Sequence, residues 1–156
     1  MTPSRPAVSL GLNGTLLMVA GLFCGAAIPA APYPRLMLAA HSAGFTLSAV
    51  VSILAALLLG TSLCCLPSRA ARIVLWGHLL LWPLCLSEVA GAFWGTTKAL
   101  KIAGAQAGAP GGTPLQENIV VICHAIPAVA LILAWALLVW GTWRVFRTAP
   151  SGSGTS

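Results

Sequence analysis

The sequence predicts an all-α integral membrane protein, built as a bundle of four transmembrane helices. Hydrophobic residues make up 58% of the 156-residue chain and charged residues 6%, and the mean hydropathy is +0.94. One helical crossing of a bilayer needs roughly 20 mostly apolar residues. Four such stretches are present, at about residues 11–31, 43–66, 73–95 and 119–143. We therefore expect one membrane domain over residues 1–147, followed by a disordered tail over residues 148–156.

Prolines and glycines mark the connections between the predicted spans. Residues 29–34 contain three prolines, which lack a backbone donor and cannot continue a helix, and Pro67 closes the second span. Residues 104–114 are rich in glycine and are predicted to form a flexible loop. A loop of this length in a compact domain is often a lid or a binding segment. The start of the chain resembles a signal peptide, but its long apolar run favours an uncleaved first helix.

The net charge of +6 does not indicate nucleic-acid binding, because the basic residues are scattered at the ends of apolar segments. On one side of the predicted bundle lie Arg5, Arg69, Arg72, Arg144 and Arg147, and on the other lie Arg35, Lys98 and Lys101. Positive residues favour the cytoplasmic face of a membrane. The five-to-three distribution therefore predicts that both termini are cytoplasmic.

Every predicted span carries polar residues that a lipid environment disfavours. Such groups tend to face the interior of a helix bundle and are functional-site candidates. The sequence predicts that they line one polar pocket, and the residues concerned are Asn13, His41, Ser48, His78, Glu88 and His124. On the predicted fourth helix, Glu117 and His124 share a face because they are seven residues apart.

These residues also have structural interpretations. Small and hydroxylated residues, Ser48 among them, commonly serve helix packing. Glu117 suits the N-terminus of the fourth helix, where a carboxylate meets the positive end of the helix dipole. Function is the stronger interpretation for His41, whereas Glu88 and His124 leave both interpretations open. The five cysteines lie in apolar segments and have no C-x-x-C spacing, so we interpret them as small hydrophobic residues.

Five short segments follow one another in a specific order and spacing. RLMLAAHSAG at residues 35–44 is preceded by GTLLMVAGLFCG at residues 14–25. The order continues with GAFWG at 91–95, GTPLQE at 112–117 and LVWGTWR at 138–144. In this pattern the chain resembles the bacterial hydroxylaminobenzene mutases and the related styrene oxide isomerases, and the resemblance covers about residues 10–147.

This resemblance implies a membrane enzyme that rearranges a small hydrophobic aromatic substrate without net oxidation. The mutases convert an arylhydroxylamine into an aminophenol, and the isomerases convert an aryl epoxide into an aldehyde. The resemblance also implies a homotrimer that holds ferric haem b between subunits through the histidine that matches His41. A neutral imidazole is an established haem ligand, and the iron would act as a Lewis acid on the substrate oxygen.

Other residues are expected to handle the substrate around that site. The predicted catalytic residues are Glu88, Glu117, Trp94 and Thr46, and the predicted pocket residues are Asn13, His78, Trp82, Phe93 and His124. Either glutamate would shuttle a proton if burial favoured its protonated form. The aromatic rings would stabilise a developing cation.

The chain departs from the family pattern at the residues that contact the substrate. The families place an asparagine six residues after the histidine, where this chain has Leu47, with Thr46 as the nearest substitute. An acid and a tyrosine on the third helix of the isomerases correspond to Leu86 and Trp94. A changed substrate, a changed rearrangement and a loss of catalysis each fit these departures.

A hypothesis from a different class is a non-catalytic membrane protein, either a small-molecule carrier or a partner subunit. In a carrier, Glu88 would be the intramembrane carboxylate that couples transport to protons. A haem absorption band that disappears in His41→Ala would favour the isomerase. Proton-coupled efflux that depends on Glu88, in a protein without pigment, would favour the carrier.

Overall fold

The computed structural model describes residues 4–148, which are helical and contain no β-strand. Its four helical spans are Arg5–Ala30, Pro34–Gly60, Ser68–Trp94 and Pro114–Thr148, each long and apolar enough to cross a membrane. The predicted all-α architecture with four spans is therefore confirmed, and it indicates a multi-pass membrane protein. Thr148 is the last residue of the fourth span, and residues 149–156 of the predicted tail lie outside the described residues.

Seven α-helices make up these spans and their connections. The first span is α1 (Arg5–Ala27) with a 3-10 turn (Ile28–Ala30), and the second is α2 (Pro34–Ala39), a π-helical segment (Ala40–Thr46) and α3 (Leu47–Gly60). The third span is α4 (Ser68–Leu79) followed by α5 (Leu81–Trp94), and the fourth is α7 (Pro114–Thr148). The short helix α6 (Lys101–Gln106) lies in the connection between the third and fourth spans.

Proline and glycine explain two of the helix ends. Pro83 lacks the N–H that would bond the Leu79 carbonyl, and the third span is interrupted at Leu80 between α4 and α5. Gly95 ends α5 with a φ of 68°, a left-handed conformation that glycine adopts without a steric penalty.

The second span ends earlier than the sequence predicts. The prediction extends it to residue 66, but the helix ends at Gly60 and residues 61–67 form a connection that lies against α7. The backbone N–H of Cys65 donates to the Gly141 carbonyl at 3.3 Å. A side chain at Gly141 would collide with this connection, since a Cβ there would lie 2.6 Å from Cys64 Sγ.

Small residues let α1 and α3 approach closely. A Cβ at Gly14 would lie 2.9 Å from the Ala49 carbonyl oxygen. Gly14 and Ala49 therefore permit a close approach of α1 to α3.

Buried polar residues separate two clusters of buried apolar side chains. One cluster includes Leu17, Met37, Phe45, Leu81 and Cys85, and the other includes Leu10, Ala55, Val74, Ala134 and Leu138. Asn13, Ser52 and His78 fall between the two clusters along α1, α3 and α4, and each is at most 4% exposed. The bundle therefore has a polar layer near the middle of its length.

Candidate functional site

The structure distributes the predicted polar residues over several places instead of gathering them in one pocket. One group is the central polar layer, a second is an acid–imidazole pair between α5 and α7, and a third is His41 against α1. Helix rotation decides this distribution, because it sets which neighbouring helix each polar side chain faces.

Asn13 organises the central polar layer. Its Nδ2 donates to Ser52 Oγ at 3.2 Å and to the His78 carbonyl at 3.5 Å, and its Oδ1 accepts from Trp82 Nε1 at 2.9 Å. His78 donates through Nδ1 to the Val74 carbonyl at 2.8 Å, while its Nε2 is buried without a partner. Three predicted pocket residues thus contact one another in a network that joins α1, α3, α4 and α5.

Glu88 and His124 form the one ion pair found within residues 4–148. His124 Nε2 lies 3.0 Å from Glu88 Oε1, and His124 Nδ1 lies 2.7 Å from the Val120 carbonyl oxygen. A carbonyl oxygen can only accept, so Nδ1 carries a hydrogen and one further proton lies between Nε2 and Oε1. The net charge of the pair is zero whichever partner holds that proton, and this lowers the cost of its burial.

The second oxygen of Glu88 faces the π-helical segment. Oε2 is buried without a hydrogen-bond partner, and a Cβ at Gly44 would collide with it. The same Cβ would lie 3.9 Å from the Cα atom of Cys85. Gly44 therefore makes room for the carboxylate, and it belongs to the segment that also carries His41.

A small cavity of about 210 Å³ lies between the second, third and fourth spans, and neither Glu88 nor His124 lines it. It is lined by Ala43, Leu47, Ser48, Val51, Leu81, Leu84, Pro127, Ala128 and Leu131. Three lining residues lie about one helical turn from the groups described above. Ser48 follows Gly44, Leu84 precedes Glu88 and Ala128 follows His124. The cavity is almost entirely apolar, so a molecule held there would itself be small and hydrophobic.

His41 lies in the π-helical segment with its half-buried ring against α1. Its Nδ1 is 2.8 Å from the Gly21 carbonyl oxygen, so Nδ1 donates and Nε2 keeps its lone pair. A Cβ at Gly25 would lie 3.0 Å from the ring, so glycine permits this contact. Metal-binding histidines commonly donate their other ring nitrogen to a carbonyl in this way. Thr46 Oγ1 donates to the His41 carbonyl at 2.8 Å and stabilises the segment.

The side chains at the three departures from the family pattern, Leu47, Leu86 and Trp94, face outward, and so does the predicted pocket residue Phe93. Leu47 and Leu86 are each 56% exposed, Phe93 is 52% exposed and Trp94 is 36% exposed. These apolar side chains are available to lipid or to another subunit. The predicted roles of Phe93 and Trp94 in a pocket therefore depend on an additional surface that covers them.

Glu117 closes the connection between the third and fourth spans. It is 3% exposed, and its carboxylate accepts the backbone N–H groups of Thr97, Lys98 and Gly112, each at 2.9 Å. The sequence predicts a flexible loop over residues 104–114, but this connection contains α6 and is tied at both ends by Glu117. The geometry favours the structural interpretation of Glu117, because both carboxylate oxygens already accept hydrogen bonds.

We expect Glu117→Gln to lower the free energy of unfolding by about 2 kcal/mol, because the amide turns an acceptor into a donor facing buried N–H groups. Thermal unfolding in detergent micelles measures this change. Asn118→Ala is the control, since the exposed neighbouring side chain should contribute less than about 0.5 kcal/mol. An unchanged unfolding midpoint in Glu117→Gln would contradict the role assigned to this carboxylate.

Sequence reasoning missed the pairing of Glu88 with His124, which are 36 residues apart. It treated the two as separate candidates on two helices. Each is a polar residue in an apolar span, and such groups in lipid usually pair with one another. That rule could have predicted that Glu88 pairs with another polar residue. The sequence does not give the rotation of α5 relative to α7, which decides that the partner is His124.

Comparison with known proteins gives one match. A family model described as styrene oxide isomerase matches residues 7–143 of the chain. No curated protein and no solved structure matches the chain. The matched region includes His41, Glu88 and His124.

Proposed function

The chain belongs to the styrene oxide isomerase family, and from this premise we propose that it converts a small aryl epoxide into an aldehyde within the membrane. The observation that carries the proposal is the family match over residues 7–143, which includes part of every span. The reaction is an isomerisation: the benzylic C–O bond breaks, a hydrogen moves with its electron pair to the benzylic carbon, and a C=O bond forms. A site that excludes water protects the cationic species from hydrolysis.

His41 is the proposed haem ligand. The hydrogen bond from Nδ1 to the Gly21 carbonyl fixes the ring and leaves the lone pair of Nε2 free, so His41 would hold the haem iron through that nitrogen. When bound, a ferric haem supplies a Lewis acid for the epoxide oxygen. The Gly21 carbonyl orients the imidazole by accepting its Nδ1–H. The hydroxyl of Thr46 stabilises the π-helical segment by donating to the His41 carbonyl.

A homotrimer is the proposed assembly, with both termini on the cytoplasmic side. The exposed apolar side chains at positions 47, 86, 93 and 94 support subunit contacts near the third span. Covered by a second subunit, the rings of Phe93 and Trp94 would be placed to stabilise a benzylic cation.

The Glu88–His124 pair has a proposed positioning role. The rearrangement consumes no proton, and the pair contacts Gly44 while His41 contacts α1. Glu88 thereby contacts, at Gly44, the same π-helical segment that α1 contacts through the imidazole. Direct proton transfer by Glu88 stays a prediction.

The substrate class is tested by supplying membranes that contain the protein with an aryl epoxide and, separately, with an arylhydroxylamine. We expect the aldehyde to form from the epoxide, and we expect His41→Ala membranes to lose this activity. Gas chromatography of the products measures both reactions. Formation of an aminophenol alone would replace the epoxide proposal with the mutase activity.

A carrier is the second candidate function, and the buried carboxylate of Glu88 is the observation that favours it. A proton-coupled carrier needs an intramembrane group that binds and releases a proton. Under this alternative, vesicles containing the protein would export a hydrophobic compound in response to a proton gradient. Glu88→Gln would abolish that export, and the purified protein would contain no haem.

A further inference from the structure

A basic concave surface lies at the end of the bundle where the second span begins and the third ends. It encloses about 600 Å³ between the start of α2 and the connection that contains α6. Its polar lining consists of Arg35, Lys98, Lys101 and Gln106. We call these four residues and the space between them the basic cleft.

In the described part of the chain, no acidic side chain forms an ion pair with the basic cleft, and among its cations only Lys98 is close enough to the Glu117 carboxylate to be attracted by it. The chain contains two acidic residues in total. Glu88 is paired with His124, and the carboxylate of Glu117 accepts three backbone N–H groups beneath the connection. Three cations that share one cavity without a carboxylate repel one another, and a bound anion would remove that repulsion.

The guanidinium of Arg35 is oriented by the protein. Its Nε donates to Gln106 Oε1 at 2.7 Å, which ties the start of α2 to the end of α6. The terminal nitrogens of the guanidinium then remain to bind a ligand. A planar guanidinium suits the oxygens of a phosphate group, and lysines add further positive charge.

Apolar side chains line the same cleft. Leu100 and Ile102 alternate with the lysines, and Ile102 is 77% exposed. A free phosphate ion would gain nothing from these side chains. The hydrocarbon chains of a lipid would cover them and would leave the charged headgroup at the cations.

We propose that the basic cleft binds the headgroup of an anionic phospholipid, with its phosphate at Arg35, Lys98 and Lys101 and an acyl chain along Ile102. The site is independent of the proposed isomerase activity. With both termini cytoplasmic, this end of the bundle lies at the opposite leaflet, and the bound lipid would hold the connection at a fixed depth in the interface of that leaflet. A phosphate is the recognised group, and the acyl chains distinguish a lipid from a free ion.

Short-chain phosphatidylglycerol added to the delipidated protein in a neutral detergent tests the proposal, with native mass spectrometry to count bound lipids. The double variant Lys98→Gln/Lys101→Gln should bind about 25-fold more weakly, because each basic residue contributes about a factor of five. Both lysines are exposed, so the fold should be retained. Gln106→Ala, which releases Arg35, should weaken binding several-fold without a change in net charge.

The matched control is Arg69→Gln/Arg72→Gln, which removes two exposed positive charges at the other end of the bundle. This variant should bind phosphatidylglycerol as the unmodified protein does. Phosphatidylcholine should bind weakly, and inorganic phosphate at the same concentration should not displace the lipid. Equal losses in the two double variants, or displacement by inorganic phosphate, would overturn the proposal.

Discussion

His41→Ala should abolish the haem absorption band that we expect of the purified protein. The imidazole presents Nε2 while Nδ1 is bonded to the Gly21 carbonyl, so the substitution removes the proposed metal-binding atom and leaves α1 intact. Without this imidazole, haem would be retained only by weaker apolar contacts. A visible spectrum of the protein in detergent, with the haem-to-protein ratio, measures the effect.

The control for this experiment is another half-buried histidine. His124 also has its Nδ1 within hydrogen-bond distance of a carbonyl oxygen, but its Nε2 is engaged by Glu88. His124→Gln keeps a donor for Glu88 and should retain the haem band. A band that survives in His41→Ala and disappears in His124→Gln would show that haem binding depends on His124. That result would refute His41 as the ligand.

Breaking the contact between Gly44 and Glu88 should cause the largest loss of stability. Glu88→Ala leaves His124 without its partner, and breaking a buried pair costs about 3–5 kcal/mol. Gly44→Ala forces a methyl group against Glu88 Oε2, and such overpacking costs about 1–3 kcal/mol. We expect the double variant to cost less than the sum, because removal of the carboxylate opens space for the methyl group.

A double-mutant cycle measured by unfolding in detergent quantifies this coupling. We expect an interaction of about 1–2 kcal/mol, within the range for residues in contact. Gly11→Ala is the matched glycine control, since its Cβ would lie 3.8 Å from Ala56 Cβ, an ordinary contact. That control should be neutral or stabilising by up to about 1 kcal/mol. Strictly additive effects of Gly44→Ala and Glu88→Ala would show that the two residues do not interact.

The four spans were predictable because lipid imposes a length and a composition on every crossing. That constraint is local, so a run of apolar residues such as 119–143 reveals its span without knowledge of its neighbours. The end of the second span was less predictable. Residues 61–66 are apolar enough to continue the helix, and they leave it to pack on Gly141 of a distant span.

The candidate site was predictable in its residue types but not in its partners. Composition alone identified His41, Glu88 and His124 as unusual in apolar surroundings. Their partners depend on helix rotation and on glycines, such as Gly25 and Gly44, that admit a ring or a carboxylate. Those contacts are properties of two helices together, and neither helix specifies them alone.

Glu117 illustrates the same limit for a connection. The sequence supports both a cap and a catalytic acid, because a carboxylate near a helix start serves either purpose. Its three hydrogen bonds come from Thr97, Lys98 and Gly112, on both sides of α6. The hydrogen bonds from Thr97 and Lys98 span about 20 residues, so they depend on how the whole connection folds and the sequence does not predict them.

The fate of hydrogen in the rearrangement is the most direct test of the isomerase assignment. An aryl epoxide carrying two deuterons on its terminal carbon would be supplied to the purified protein, and the product would be analysed by mass spectrometry. We predict an aldehyde that retains both deuterons, with one of them transferred to the benzylic carbon. A diol, or an aldehyde that has lost one deuteron to water, would contradict an intramolecular shift in a site closed to solvent.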